Sequence, residues 1–134
     1  MAKMLWALVC ARCIVDRQTN LVSYIDAIEQ LTTSELPVTL PPFNVCSFWK
    51  REQADEVLKI RHTLVTPSGS RELLDEAQPI VLNRLRHRIT TAFLGVEAQE
   101  AGEYRVDVEV EVDTEWTTAA SVYIDIIFKE AEED

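Results

Sequence analysis

The feature that most constrains this chain is a strict two-residue alternation of apolar and charged side chains. Between positions 104 and 112, Tyr104 and four valines at two-residue steps alternate with one arginine and three acidic residues. Only an extended strand with one buried face and one polar face places side chains in this way, because a helix repeats every 3.6 residues. The same alternation occurs at 57–65, 84–93 and 122–129. The pattern therefore predicts a fold built mainly from half-buried strands.

The remaining segments leave more than one interpretation open. The stretch 4–15 is apolar on both faces apart from Arg12, so it is either central in a covered sheet or packed against another chain. The stretches 21–31, 51–58 and 70–85 also fit helical spacing. Turns at 16–20 and 66–69 separate the strands. Seven or eight strands are counted, and they predict an all-β, two-sheet sandwich with room for one short helix.

Length and charge set the domain organisation and exclude several partners. The 134 residues suit one globular domain, predicted over 1–129 and followed by an acidic frayed tail over 130–134. The net charge of -10 lies in residues 97–134, which hold 13 acidic and two basic residues. Acidity of this size disfavours nucleic acid and anionic membranes as partners. Three cysteines without a secretion signal predict a cytoplasmic protein, and no cofactor is expected.

Four short motifs carry a resemblance to a known family. They are Val15-Asp16-x-x-Thr19 with Ser23-x-Ile25, Leu36-Pro37-x-x-Leu40-Pro41, Val65-Thr66-Pro67-Ser68-Gly69, and Gly102-x-Tyr104-x-Val106. Together they resemble an uncharacterised family of small bacterial immunoglobulin-like β-sandwich domains. The resemblance implies that fold and a bacterial cytoplasmic setting, and it supplies no catalytic residues. Asp113, Glu115 and Trp116 stand where the family pattern has a simple hairpin with glycine.

The polar face of the 104–112 strand carries a row of carboxylates. Asp107, Glu109, Glu111 and Asp113 follow one another at two-residue steps, which places neighbours about 7 Å apart. Such a row could gather calcium or hold an acid–base pair, but no calcium-binding loop is present to supply converging oxygens. A solvated or cross-strand-paired acidic face is therefore predicted.

A matching basic row lies at Arg84, Arg86 and Arg88. If the two strands form a hairpin, an exposed ladder of ion pairs follows. The predicted pairs are Arg88 with Glu109, Arg86 with Glu111, and Arg84 with Asp113. If the strands lie in opposite sheets, the three arginines are available to bind another partner.

Two further groups are candidate sites. Trp49-Lys50-Arg51 could stack and bind a sugar or another small ligand, although tryptophan more often lies in a core. Cys46, His62 and His87 are the alternative for a metal site, because both histidines lie on apolar faces. Cys10 and Cys13 point to opposite faces of a strand and sit about 10 Å apart, which prevents a shared metal or disulfide.

Three functions follow from these observations. The first is a non-enzymatic module that binds another protein or itself through the apolar first strand or an exposed sheet edge. The second is a small-ligand or carbohydrate-binding module, and the third is a metal-dependent enzyme. The first is favoured, since the sequence has neither a nucleophile elbow nor a phosphate-binding loop.

Overall fold

The protein is built from β-strands alone over the residues that its structure, a computed structural model, describes, which are 1–132. Twelve strands form three sheets, and this part of the chain contains no helix. The strands are β1 (Lys3–Val15), β2 (Val22–Ala27), β3 (Gln30–Thr33), β4 (Val38–Thr39), β5 (Phe43–Lys50), β6 (Glu56–Val65), β7 (Arg71–Leu73), β8 (Gln78–Leu82), β9 (Arg86–Phe93), β10 (Glu97–Ala98), β11 (Gly102–Val112) and β12 (Glu115–Phe128). The all-β prediction is confirmed. The count of seven or eight strands was too low, because β3, β4, β7 and β10 have only two to four residues each and are too short to show a clear alternation.

Two larger sheets share the hydrophobic core. Sheet 1 has the order β2-β1-β5-β9 and is antiparallel throughout. Sheet 2 has the order β3-β12-β11-β6-β7, with β8 also paired to β6 and β3 parallel to β12. The small third sheet pairs β10 with β4. Val45 and Trp49 of sheet 1 lie in one core cluster with Leu64, Tyr104 and Val106 of sheet 2.

The helical interpretations of three segments are wrong. Residues 21–31 contain β2 and the start of β3, residues 70–85 contain β7 and β8, and residues 51–58 contain a turn and the start of β6. In the first of these segments Asp26 has a φ of 55°, and the chain leaves β2 after Ala27 before β3 begins. This break shifts the apolar alternation between the two strands, and the shift imitates the spacing of a helix.

Strand β1 belongs to sheet 1 and also to a ribbon that folds back over that sheet. Its first part pairs with β5, and its last part pairs with β2, so that Cys13 lies opposite Tyr24. A straight strand would separate Trp6 from Cys13 by about 23 Å. The rings of Trp6 and Tyr24 are nevertheless 5.3 Å apart, edge to face. The hairpin formed by residues 11–27, which we call the ribbon, must therefore fold back across sheet 1.

The turns agree with the local sequence. The predicted turn at 16–20 is present, and the Asp16 carboxylate accepts hydrogen bonds from two backbone N–H groups within it. The hairpin between β11 and β12 uses Asp113 and Thr114, whose φ values of 51° and 69° correspond to a two-residue loop with both central residues left-handed. A glycine is therefore not required at this turn, and Trp116 packs beneath the Arg61 guanidinium at 4.1 Å.

The acidic C-terminal stretch begins where the last strand ends. Lys129 donates its backbone N–H to the Thr33 carbonyl at 2.9 Å, and residues 130–132 are exposed and outside any strand. The last two residues of the predicted tail, 133 and 134, lie outside the described residues.

Candidate functional site

One cavity at the end of sheet 1 is lined mainly by arginine and asparagine side chains, and its lining among residues 1–132 includes no carboxylate. Its volume is about 410 Å³. The lining residues are Asn20, Phe48, Asn83, Arg84, Arg86, His87 and Arg88. We call it the arginine cleft. It brings together the three arginines that the sequence singled out, and it adds residues from the ribbon tip and from β5.

The pairing register of β5 and β9 determines the positions of two of the arginines. Arg86 lies opposite Lys50, and Arg88 lies opposite Phe48. Directly paired residues share one face of a sheet, so both arginines lie on the face away from buried Trp49. Two residues of extended strand separate them by about 7 Å along β9.

The connection between β8 and β9 supplies the third arginine. Arg84 lies in this connection, just before β9 begins. The Arg51 guanidinium donates to the Leu82 carbonyl at 2.8 Å, and the Arg51 backbone N–H donates to the Leu85 carbonyl at 3.0 Å. Arg51, predicted as a ligand-binding residue, therefore holds the connection that carries Arg84.

The arginines of the cleft differ from those of sheet 2 in their electrostatic surroundings. Arg61 and Arg71 contact Glu109, while Arg71 and Arg105 contact Asp107, at distances of 3.0 to 3.4 Å. Within residues 1–132, none of the three cleft arginines has an ion-pair partner within 4.0 Å. Among the described residues, the positive charge of the cleft is therefore uncompensated, although the net charge of the chain is -10.

Lys50 adds to that positive field, and His87 is affected by it. Lys50 and Arg86 are like charges directly opposite each other, an arrangement that destabilises a strand pair. Burial lowers the pKa of His87 below its ordinary value of 6.5, and the charges of Arg84 and Arg88 lower it further. His87 is therefore neutral at pH 7. Its buried Nδ1 has no hydrogen-bond partner in the described part of the chain.

The predicted ladder between the arginines and the acidic row is wrong. β9 pairs with β5 in sheet 1, whereas β11 pairs with β6 and β12 in sheet 2. The two strands are close in sequence but belong to different sheets, so Arg88–Glu109, Arg86–Glu111 and Arg84–Asp113 are not pairs. The alternative that leaves the arginines available is the one the structure supports.

The acidic row is not a solvated face at its centre. Asp107 and Glu109 are only 2% and 5% exposed. Ser121 donates to Asp107 at 2.7 Å and Arg105 donates to it at 3.0 Å, while the Thr63 hydroxyl donates to Glu109. The two buried carboxylates already accept hydrogen bonds from neighbouring side chains, so the row is a structural network and not an open cation site.

The other predicted candidates fall in different places. Trp49 is 1% exposed, and its Nε1 donates to the Ser47 hydroxyl at 2.8 Å, so it offers no surface for stacking a sugar. Lys50 is exposed beside the cleft. In the part of the chain that is described, no group of three or more histidine, cysteine or acidic residues could hold a metal ion. His62 instead lies with its Nδ1 2.9 Å from the Asp75 carboxylate.

Two buried thiols form a pair that the sequence did not reveal. The Sγ atoms of Cys10 and Cys46 are 3.8 Å apart, on neighbouring strands β1 and β5. Burial raises the pKa of both thiols, that of Cys46 to about 12. Both are therefore protonated at neutral pH and poorly nucleophilic.

A second, larger cavity of about 560 Å³ lies beside the Tyr104 side chain. Hydroxyl groups and the carboxylates of Glu72, Glu97 and Glu100 line it together with apolar side chains, and its described lining includes no cationic side chain. The apolar side chains are Leu73, Leu74, Phe93, Leu94 and Val96. The Ser68 backbone N–H donates a hydrogen bond to a carboxylate oxygen of Glu100 at 3.2 Å. The described residues of this cavity include no group of three or more that could hold a metal ion, so the arginine cleft is the better candidate.

Comparisons with protein-family models and with curated proteins identify no relative of this chain. No protein-family model matches the chain, and no curated protein matches it. The described residues include no helix long and apolar enough to cross a membrane. The function is therefore inferred from the geometry and charge of the arginine cleft.

Proposed function

We propose that the protein is a non-enzymatic, immunoglobulin-like β-sandwich module that binds a negatively charged segment of a protein chain in the arginine cleft. The observation that carries this proposal is the set of three arginines without ion-pair partners in the described part of the chain. Arginine guanidinium groups bind carboxylates through two parallel hydrogen bonds, which gives both attraction and orientation.

The immunoglobulin-like part of the proposal is supported by one corner of sheet 2. The Tyr104 hydroxyl donates to the Glu100 carbonyl at 2.7 Å, just before β11 begins to pair. A tyrosine that bonds back to the backbone a few residues upstream is a feature of immunoglobulin-like sandwiches. The shared core of the two larger sheets agrees with that architecture. The three free cysteines support a reducing compartment such as the bacterial cytoplasm.

A protein segment fits the cleft better than nucleic acid does. A nucleic acid is a long polyanion, so beyond the cleft it would meet the field of a chain with net charge -10. Among the described residues of the cleft, Phe48 is the one Phe, Tyr or Trp side chain, whereas proteins that bind single-stranded nucleic acid stack successive bases on several aromatic side chains. A short acidic segment needs only the local charge and a volume of about 410 Å³.

The proposal is tested by titrating the protein into a fluorescently labelled hexaglutamate peptide at low ionic strength. Arg86→Glu is expected to weaken binding at least tenfold, because one charge-assisted hydrogen bond contributes about 1.5–3 kcal/mol and a tenfold change corresponds to 1.4 kcal/mol. Arg12→Glu is the matched control, since Arg12 is exposed, makes the same charge change and lies outside the cleft.

Two further variants sharpen the result. Arg86→Lys keeps the charge but loses the two-pronged geometry, so its affinity should lie between those of the wild type and Arg86→Glu. Hexalysine in place of hexaglutamate should not bind the cleft. The proposal is wrong if Arg12→Glu weakens binding as much as Arg86→Glu, or if hexaglutamate does not bind at low ionic strength.

A further inference from the structure

The strand β9, which carries two of the cleft arginines, lies at an edge of sheet 1. β9 is the terminal strand of that sheet, and over residues 1–132 it pairs only with β5. The backbone N–H and C=O groups on its other side therefore have no strand to pair with. Such an edge binds an extended segment by strand addition, in which main-chain hydrogen bonds provide affinity and side chains provide specificity.

Resting on the proposed function, we infer that the segment bound in the cleft is the acidic stretch around Glu130 and Glu132 of a second copy of this chain, added to β9 as an antiparallel strand. The stretch follows β12 directly and is exposed. The contact would join the β9 edge of one copy to the C-terminal stretch of the next. It would be a head-to-tail contact, in which different surfaces of two copies meet.

The spacing of charges matches on the two sides. Glu130 and Glu132 are two residues apart, as are Arg86 and Arg88. In antiparallel addition Glu130 lies opposite Arg88 when Glu132 lies opposite Arg86. Arg86 would then have Lys50 on one side and a carboxylate on the other, which offsets the like-charge contact within sheet 1.

Sheet 2 already uses this arrangement inside one molecule. Arg61 on β6 lies opposite Glu109 on β11, and their side chains are 3.3 Å apart. At the next step along the same two strands, Lys59 and Glu111 are 3.2 Å apart. Two basic residues at a two-residue step thus pair with two glutamates across antiparallel strands, and the inferred contact repeats this pattern between copies.

Both halves of the contact are open within one copy. Over the described residues, neither the cleft arginines nor Glu130 and Glu132 form an ion pair. The stretch follows the end of sheet 2, where Phe128 pairs with Thr33, while the cleft belongs to sheet 1. Two complementary surfaces that are both unoccupied in one copy can satisfy each other between copies.

The test is sedimentation velocity over a range of protein concentrations at low salt. The wild type should rise above the monomer mass of 15.3 kDa as concentration increases. Arg86→Glu/Arg88→Glu and Glu130→Arg/Glu132→Arg should each remain monomeric, because like charges then meet across the contact. An equimolar mixture of the two double variants should associate again, since each supplies the charge that the other lacks.

A trans assay keeps the test valid if a cleft variant does not fold. A labelled peptide of residues 128–134 should bind the wild-type chain at least tenfold more tightly than the same peptide with Glu130→Arg and Glu132→Arg. A chain lacking residues 130–134 should be monomeric and should still bind the wild-type peptide.

Several outcomes would overturn the inference. It fails if the mixture of double variants stays at the monomer mass, or if both double variants associate as the wild type does. It also fails if the wild type is monomeric at every concentration, and hexaglutamate binding would then show that the proposed function stands without it. If hexaglutamate does not bind either, the proposed function falls as well.

Discussion

Replacing Asp107 with asparagine should destabilise the protein by about 2–3 kcal/mol at pH 7. The Asp107 carboxylate is buried and accepts hydrogen bonds from Ser121 at 2.7 Å and from Arg105 at 3.0 Å. A hydrogen bond to a charged group contributes about 1.5–3 kcal/mol. The Arg105 and Arg71 side chains are 39% and 47% exposed, so their ion pairs add at most about 1 kcal/mol. Asparagine keeps the shape but can accept only through one oxygen.

The matched control is Glu111→Gln on the same strand. Within residues 1–132 Glu111 forms an ion pair only with Lys59, and the two side chains are 26% and 45% exposed. Exposed pairs contribute about 0–1 kcal/mol, so this variant should lose less than about 1 kcal/mol. The assay is urea unfolding, monitored by tryptophan fluorescence. The slope of the free energy of unfolding against urea concentration should be the same in both variants and the wild type. Equal losses for the two variants would refute the argument from burial.

The pH dependence gives a second check on Asp107. Burial alone would raise the pKa of this carboxyl, but the hydrogen bond from Ser121 and the charges of Arg105 and Arg71 outweigh it and lower the pKa below its ordinary 3.8. A carboxyl whose pKa is lower in the folded than in the unfolded state stabilises the protein at pH values above its unfolded pKa. This stabilisation is lost as the pH falls through the folded pKa. The stability difference between wild type and Asp107→Asn should therefore be full at pH 7 and shrink below about pH 4.

Two other predictions follow from the core. Tyr104→Phe should cost about 1–2 kcal/mol of stability through the lost corner hydrogen bond, whereas Tyr123→Phe, at an exposed tyrosine, should cost almost nothing in the same urea assay. In the native protein Cys13 should react first with a thiol reagent because it is partly exposed, while Cys10 and Cys46 should react only on unfolding. Rapid labelling of all three thiols in the native protein would contradict the burial of Cys10 and Cys46.

The sequence predicted the strands with strong alternation and missed how they are partnered. The alternation around Tyr104 and at 57–65 corresponds to β11 and β6, because a half-buried strand records its two faces in its own residues. Burial of Asp107 and Glu109 was not predictable, since it depends on side chains from β6, β7 and β12 that cover them.

The candidate site was predictable only in part. Arg84, Arg86 and Arg88 stood out in the sequence as a basic row. Their surroundings did not, because Phe48 comes from another strand and Asn20 arrives through the fold-back of the ribbon. Local sequence does not record whether a hairpin folds back on its sheet, so the cleft required the three-dimensional structure.

The parallel pairing of β3 with β12 has a consequence for the order of folding. It joins residues near the start of the chain, such as Gln30, to residues near its end, such as Asp125. β12 lies between β3 and β11, so sheet 2 cannot close until the last strand has been synthesised. Contacts this distant in sequence form slowly, because the entropy of closing a long loop must be lost before any contact offsets it. Sheet 2 therefore completes its folding only after β12 has been synthesised and has emerged from the ribosome, and until then the edge of β3 that β12 later covers stays exposed to other chains.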